Sequence, residues 1–75
     1  MKAIPKFHVG DIVWVLYIDD LYYEWCRKQI KIEKIKIYED EIEYNDFYEE
    51  KDCFFSEEEA IKETAKREGW YRKWK

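Results

Sequence analysis

Alternating side chains after Gly10 predict a first β-strand over residues 12–17. Both faces of this strand are apolar: Val13, Val15 and Tyr17 lie on one, and Ile12, Trp14 and Leu16 on the other. A strand that exposes one face to water carries polar residues there. We therefore expect this strand to be central in its sheet or covered on both sides.

The segment 22–38 contains four isoleucines in two alternating pairs: Ile30 with Ile32, and Ile35 with Ile37. The spacing between the pairs reverses their parity, so a straight strand would expose one pair to solvent. A bulge or sharp bend near Glu33-Lys34 would keep all four inside. A helix is excluded because the four positions do not share a face at roughly 100° per residue. The pattern predicts one long strand with a bend.

Shorter elements follow. The acidic run at residues 39–41 predicts a turn, and the alternation at residues 42–44 predicts a strand. Either Asn45-Asp46 or Glu49-Glu50 ends that strand. The Cys-Phe-Phe run at residues 53–55 predicts a short final strand.

A single helix is predicted over residues 56–68. Ser56 and Glu59 have the spacing of a capping box, in which the hydroxyl accepts the Glu59 amide and the carboxylate reaches back to Ser56. Gly69 stands where a left-handed terminator is expected. The residues of the expected apolar stripe are Ala60, Ile61, Thr64 and Ala65.

These elements predict a mainly β, α+β fold: a small, strongly bent antiparallel sheet or a small barrel, capped by one C-terminal helix. The 75 residues suffice for a single domain, 1–75. Its parts are the β region 7–55, the helix 56–68 and an aromatic and basic tail, 69–75. Because 20% of the residues are aromatic, we expect a packed core although 43% are charged.

The charges are unevenly distributed. The net charge is +2 over residues 1–38, −10 over residues 39–63 and +4 over residues 64–75, for a total of −4. Such blocks usually form solvated faces, but they also steer partners. The sequence shows no secretory signal and no apolar run of membrane-spanning length. We expect a cytoplasmic protein without membrane contact, in which Cys26 and Cys53 are reduced.

Residues that carry catalysis or hold a metal lack the required spacing. His8 is the only histidine, and nothing in the sequence places it beside Cys26 or Cys53. The cysteines match no usual zinc spacing, the acidic residues form no calcium loop, and two glycines make no phosphate loop. We predict a protein that is not an enzyme and uses no cofactor or metal.

Three quoted segments carry a resemblance: VGDIVWV, then IKIEKIKIY, then FFSEEEAIKE. In this order they resemble small SH3-like barrel proteins of Gram-positive bacteria and their phages, across roughly residues 7–65. The resemblance implies an SH3-like barrel and a phage or bacterial milieu, but no activity. In that milieu, a phage-encoded inhibitor of a host defence system such as an anti-CRISPR is the function we expect.

Protein–protein binding is therefore the first hypothesis, because exposed aromatic and arginine side chains anchor interfaces. The acidic stretch would engage a basic groove, and its aromatic residues would add contact area. In the tail, Trp70 is expected to pack on Ala65. The candidate partner-binding residues are Tyr44, Phe47, Tyr48, Glu49 and Glu50 in the acidic stretch, and Tyr71, Arg72, Lys73 and Trp74 in the tail.

Two alternatives remain open. The tail could bind single-stranded nucleic acid by stacking and phosphate contacts, although the pI of about 5.0 disfavours this. The cations that would extend such a patch are Arg27, Lys28, Lys31, Lys34 and Lys36. The other alternative is a homo-oligomer that captures a nucleotide. Self-association is also compatible with the many aromatic residues.

Overall fold

The computed structural model describes the backbone of residues 3–72 and the side chains of residues 3–68. Within that range the elements are β1 (Ile12–Ile18), β2 (Trp25–Lys31), β3 (Ile35–Ile37), β4 (Ile42–Tyr44), β5 (Tyr48–Glu49), a 3₁₀ turn (Glu50–Asp52), β6 (Cys53–Phe54) and α1 (Glu57–Arg72). The fold is mainly β with one C-terminal helix, which confirms the predicted fold class.

The strands form two small antiparallel sheets, in the orders β2-β1-β6 and β3-β4-β5. β1 lies between two neighbours, as its two apolar faces predicted. No backbone ladder joins the two sheets among residues 3–72, so the strands do not close into a barrel. In place of the predicted single bent sheet or barrel, the protein has two small sheets in a compact α+β arrangement.

The bend predicted at Glu33-Lys34 is present and separates β2 from β3. Asn45 holds it: its Oδ1 accepts the N–H groups of Glu33 at 2.8 Å and Lys34 at 3.1 Å. The bend brings Ile32 into the core with Ile30 and Ile35 partly buried against it. Ile37 remains 44% exposed, so the expectation that all four isoleucines lie inside is wrong for that one.

Hydrogen bonds and backbone conformation within each turn explain the connections between β3, β4 and β5. The turn between β3 and β4 is closed by the Tyr38 N–H, which donates to the Glu41 carbonyl at 2.8 Å. Between β4 and β5, Asn45 and Asp46 have positive φ angles of 52° and 59°. Two consecutive left-handed residues are typical of a type I′ turn, which asparagine and aspartate tolerate well.

The main core lies between the two sheets. Its buried members are Phe7, Val13, Val15, Ile32, Ile42, Tyr44 and Cys53. The rings of Phe7 and Tyr44 pack edge to face, with their centroids 5.5 Å apart. By strand parity Leu16 points to the opposite face of β1, where α1 packs on the sheet and Ala60 is buried. Phe55 follows β6 and is 54% exposed, so the final strand is shorter than predicted.

The start of α1 confirms the capping box. The Glu59 N–H donates to Ser56 Oγ at 3.2 Å, and the Ser56 N–H donates to Glu59 Oε2 at 3.2 Å. The inner face of the helix differs from the predicted stripe, because Ile61 and Ala65 are exposed. The residues that face the sheet are Ala60, Glu63, Thr64 and Arg67. Helix α1 is therefore attached largely by polar contacts.

Arg67 makes most of those contacts. Its guanidinium lies 2.9 Å from Asp52 Oδ1 and stacks on the Trp25 ring at 4.8 Å, and Glu63 of the same helix orients it at 2.7 Å. At the helix start, Arg27 of β2 pairs with Glu57 at 3.1 Å. A stripe defined by hydrophobicity alone misses these contacts, because a half-buried arginine with its partners replaces apolar residues.

The helix continues through Gly69 to Arg72, so the predicted end at residue 68 is wrong. Glycine lowers helix stability but does not terminate a helix unless it adopts a left-handed conformation. The predicted packing of Trp70 on Ala65 lies outside the described side chains.

Candidate functional site

An open groove of about 750 Å³ lies beside the second half of β1. It arises because β6 pairs only with Trp14 and Val15, so the rest of β1 lacks a strand neighbour on that side. We call it the aromatic groove, because the side chains that define it are Tyr17, Trp25, Phe47 and Tyr48, together with Lys28 and Asp52. Three different strands and two turns contribute these residues.

Lys28 sits between two rings of the aromatic groove. Its Nζ lies 5.2 Å from the centroid of the Tyr17 ring and 5.9 Å from that of Tyr48. Hydrogen bonding with Tyr48 raises the pKa of Lys28 above its ordinary value. A cation between ring faces orients both rings without covering their outer edges.

Phe47 is the most exposed ring of the groove, with 75% of its surface accessible. It follows the turn at Asn45-Asp46, and its N–H donates to the Tyr44 carbonyl at 3.1 Å. The ring contacts Tyr48 edge to face at 4.9 Å, which fixes its direction. An oriented, solvated phenylalanine is typical of a contact residue rather than of a core residue.

A second apolar feature is the tip of the β1–β2 loop, formed by Leu21, Tyr22 and Tyr23. These side chains are 75%, 69% and 85% exposed. The Oδ1 of Asp19 holds the loop by accepting the N–H groups of Leu21 at 2.8 Å and Tyr22 at 3.1 Å. Tyr23 has a φ of 55°, a conformation that costs free energy for a bulky residue. The loop tip thus presents apolar side chains to solvent at an energetic cost.

A smaller groove of about 350 Å³ has an acidic lining. Among its residues, Glu50 is committed to the fold: its Oε2 accepts the Tyr44 hydroxyl at 2.6 Å and the Lys6 N–H at 3.0 Å. Glu49 is 52% exposed and pairs with Lys51 at 3.3 Å. Of the two glutamates predicted to bind a partner, only Glu49 is thus available without breaking a structural bond.

The structure distributes the predicted site residues among different places. Phe47 and Tyr48 come together in the aromatic groove, whereas Tyr44 is fully buried and unavailable to a partner, because its ring fills the core between the sheets. The other predicted partner-binding residues belong to the tail. The side chains of Tyr71 and Arg72, and the whole of Lys73 and Trp74, lie outside the described part of the protein.

Sequence reasoning missed Tyr17, Trp25 and the loop tip. Tyr17 and Trp25 belong to β1 and β2, and they line the same groove as Tyr48 only because the second sheet packs beside the first, which no local pattern records. A signal did exist for the loop tip. Three successive large apolar residues after two turn-forming aspartates are unusual for a loop, which is otherwise polar.

The cations proposed for nucleic-acid binding are mostly engaged. Lys34 and Lys36 both pair with Asp46, at 2.9 and 2.7 Å, and these contacts lower the pKa of the Asp46 carboxyl. Arg27 is paired with Glu57, and Lys28 lies over two rings. The continuous basic stripe that a phosphate backbone requires is therefore broken by carboxylates.

Both thiols are free, and Cys53 is far from nucleophilic character. Burial, together with the nearby carboxylates of Asp52 and Glu50, raises the pKa of Cys53 to about 12. His8 is exposed, and its Nδ1 lies 3.7 Å from Asp11. Among the described residues, no three side chains of the His, Cys, Asp and Glu types are grouped so as to hold a metal ion.

Comparisons with protein-family models, with characterised proteins and with solved structures find no match to this chain. The helix within the described residues is not of the length and apolarity needed to cross a membrane. The candidate site must accordingly be interpreted from its own geometry.

Proposed function

We propose that this protein is a non-enzymatic binding module that contacts a protein partner through the aromatic groove and the loop tip. The observation that carries this proposal is the exposure of Phe47 beside Tyr48 in a groove of about 750 Å³. Tyrosine, tryptophan and phenylalanine dominate the energetics of protein interfaces. A groove of this size accepts several side chains of a partner.

The charges near the groove favour a protein over a nucleic acid. Asp19, Asp20 and Asp52 line it, of which Asp52 is paired with Arg67, and Lys28 is the single cation of the lining. Carboxylates repel a phosphate backbone, whereas a polypeptide can meet them with lysine, arginine or backbone N–H groups. Binding of single-stranded nucleic acid by the tail is the alternative, and capture of a nucleotide by an oligomer is a further one.

The resemblance to small SH3-like barrel proteins of Gram-positive bacteria and their phages supports a more specific biological role for the module. Under it, the module is a phage-encoded inhibitor of a host defence system, such as an anti-CRISPR. The support is the order of segments in the sequence, a strand after V-G-D, a bent isoleucine-rich segment and a capped helix. In the structure these segments correspond to β1, the bend between β2 and β3, and α1.

A pull-down from a nuclease-treated bacterial lysate tests the proposal. We expect the wild-type protein to retain a specific protein, and Phe47→Ala to reduce its recovery about tenfold, as for an interface anchor. The matched control is Tyr38→Ala, because Tyr38 is a 43% exposed aromatic residue that does not line the groove. Equal recovery with both variants would contradict the assignment of the groove.

Each alternative has its own outcome in the same experiment. If nucleic acid is the ligand, the retained material is lost on nuclease treatment and its binding weakens steeply with salt. If the protein binds only itself, no foreign protein is retained and the mass in solution rises with concentration.

A further inference from the structure

The outer edge of β2 is the longest strand edge left unpaired among the described residues. β2 has seven residues and pairs only with β1. The other edge strands, β3, β5 and β6, have three, two and two residues. Proteins usually shorten or cover a strand edge of this length, because its free N–H and C=O groups form a template for a further strand.

The antiparallel ladder determines which residues of β2 face outward. The Asp19 N–H donates to the Glu24 carbonyl at 2.9 Å, and the Ile32 N–H donates to the Asp11 carbonyl at 2.8 Å. In an antiparallel pair, the residues that bond to the neighbouring strand alternate with those that do not. The even-numbered residues between 24 and 32 therefore bond to β1, and the odd-numbered residues point outward.

The outward N–H and C=O groups thus belong to Trp25, Arg27 and Gln29. Lys31 is also odd-numbered, but its carbonyl accepts Asn45 Nδ2 at 3.0 Å, which ends the free edge there. The free groups repeat every second residue, which is the spacing that a paired strand requires. An added segment of about seven residues would match the length of β2.

The positive charge of this edge favours an acidic strand as its binding partner. β2 contains three cations, Arg27, Lys28 and Lys31, and no carboxylate. Glu57 compensates Arg27, whereas Lys31 is exposed and has no ion-pair partner among the described residues. A second copy of β2 added to the same edge would bring cations against cations, which is unfavourable. An acidic strand would bring carboxylates against them.

We propose that the β2 edge binds an extended acidic segment of a partner protein, which adds to the sheet β2-β1-β6 as its fourth strand. Backbone hydrogen bonds to Trp25, Arg27 and Gln29 hold the segment, and the carboxylates on one of its faces lie beside Lys31, which shares its face of β2 with Arg27. The edge shares Trp25 with the aromatic groove, but the added strand contacts the backbone groups of Trp25 rather than its ring. Failure of the edge proposal leaves the groove proposal intact.

Amide hydrogen exchange in the intact protein tests the proposal with a defined probe. The probe is a blocked peptide of about seven residues in which glutamate and valine alternate, and the control peptide has lysine in place of glutamate. We expect the acidic peptide to slow exchange of the Trp25, Arg27 and Gln29 amides by about tenfold or more. The Cys26 and Lys28 amides already bond to β1, so their exchange should change less.

A pair of variants at one position separates backbone pairing from charge attraction. Gln29→Pro removes an outward N–H, which an edge strand tolerates because the ladder to β1 is unaffected. We expect it to weaken binding of the acidic peptide about fivefold or more, whereas Gln29→Ala retains wild-type affinity. Lys31→Glu should weaken binding of the acidic peptide without altering the fold, because its side chain is exposed.

Three results would overturn the proposal. The first is an acidic peptide that leaves exchange of the outward amides unchanged at millimolar concentration. The second is equal binding of the acidic and lysine peptides. The third is protection of the outward amides in the free protein that increases with protein concentration, because it would assign the edge to a second copy.

Discussion

Asn45 Oδ1 accepts the backbone N–H of Glu33 at 2.8 Å, and this bond connects the turn of the second sheet to the break between the sheets. The same side chain accepts the Lys34 N–H and donates to the Lys31 carbonyl. Where the backbone ladder is interrupted, one asparagine therefore satisfies three backbone groups. The angle between β2 and β3 depends on this residue.

Two replacements of Asn45 should distinguish what its side-chain hydrogen bonds and its left-handed backbone conformation each contribute to the free energy of unfolding. Asn45→Gly removes the three side-chain hydrogen bonds but tolerates the φ of 52°, and should lower the free energy of unfolding by about 2 kcal/mol. Asn45→Ala adds backbone strain and should cost about 1 kcal/mol more. Urea denaturation measures both. Wild-type stability of Asn45→Gly would show that the bend does not depend on this side chain.

Tyr44→Phe tests whether Glu50 has a structural role. The substitution keeps the buried ring and removes the hydroxyl, which donates to Glu50 at 2.6 Å and accepts the Phe7 N–H at 3.3 Å. We expect a loss of about 1–2 kcal/mol, because a buried N–H and a carboxylate lose a partner. Combined with Glu50→Gln in a double-mutant cycle, the two losses should be less than additive. Full additivity would mean that the two groups act independently.

Stability should fall in alkaline solution. Burial, aided by the Glu50 carboxylate, raises the pKa of Tyr44 from 10.0 to about 12, and burial raises that of Cys53 from 9.0 to about 12. Both groups stay neutral in the fold, so their contribution is complete below the ordinary values and is lost as the pH approaches 12. Tyr44→Phe and Cys53→Ala should each flatten the decline in unfolding free energy. If the unfolding free energy of both variants declined with pH as steeply as that of the wild type, ionisation of Tyr44 and Cys53 would not be the cause of the decline.

The parts of the fold that the sequence predicted correctly depend on nearby residues. Ser56 and Glu59 form their capping box within one turn, so their spacing alone identifies it. The reversed parity of the isoleucines likewise located the bend. The sequence did not indicate what secures the bend, since Asn45 is twelve positions from Glu33.

The inner face of α1 and the aromatic groove could not be read from local patterns. Arg67 faces the sheet because Asp52 and Trp25, fifteen and more positions away, lie opposite it. Tyr17 becomes a groove residue only because β6 stops pairing before it. Both features follow from how distant elements pair and pack, which hydrophobic periodicity does not specify.

Arg67→Ala should loosen the helix from the sheet. The substitution leaves Asp52 half-buried without its partner and uncovers one face of the Trp25 ring. We expect a loss of about 1–2 kcal/mol, between the values for exposed and buried ion pairs. Trp25 fluorescence and helical circular dichroism would report it. Lys66→Ala, at an exposed position of the same helix, is the control and should change neither signal.

The central claim is that the aromatic groove contacts a protein partner. Replacement of Phe47 by the photoreactive p-benzoylphenylalanine tests it most directly, because the new side chain occupies the same exposed position and cross-links whatever lies against it. The same replacement at Tyr38, outside the groove, is the control. Irradiation in bacterial cells that produce the variant would be followed by nuclease treatment and mass spectrometry.

We expect a discrete, nuclease-resistant protein adduct from position 47 and none of that size from position 38. Adducts that nuclease removes, or the same adducts from both positions, would contradict the claim that the groove is the partner-binding surface.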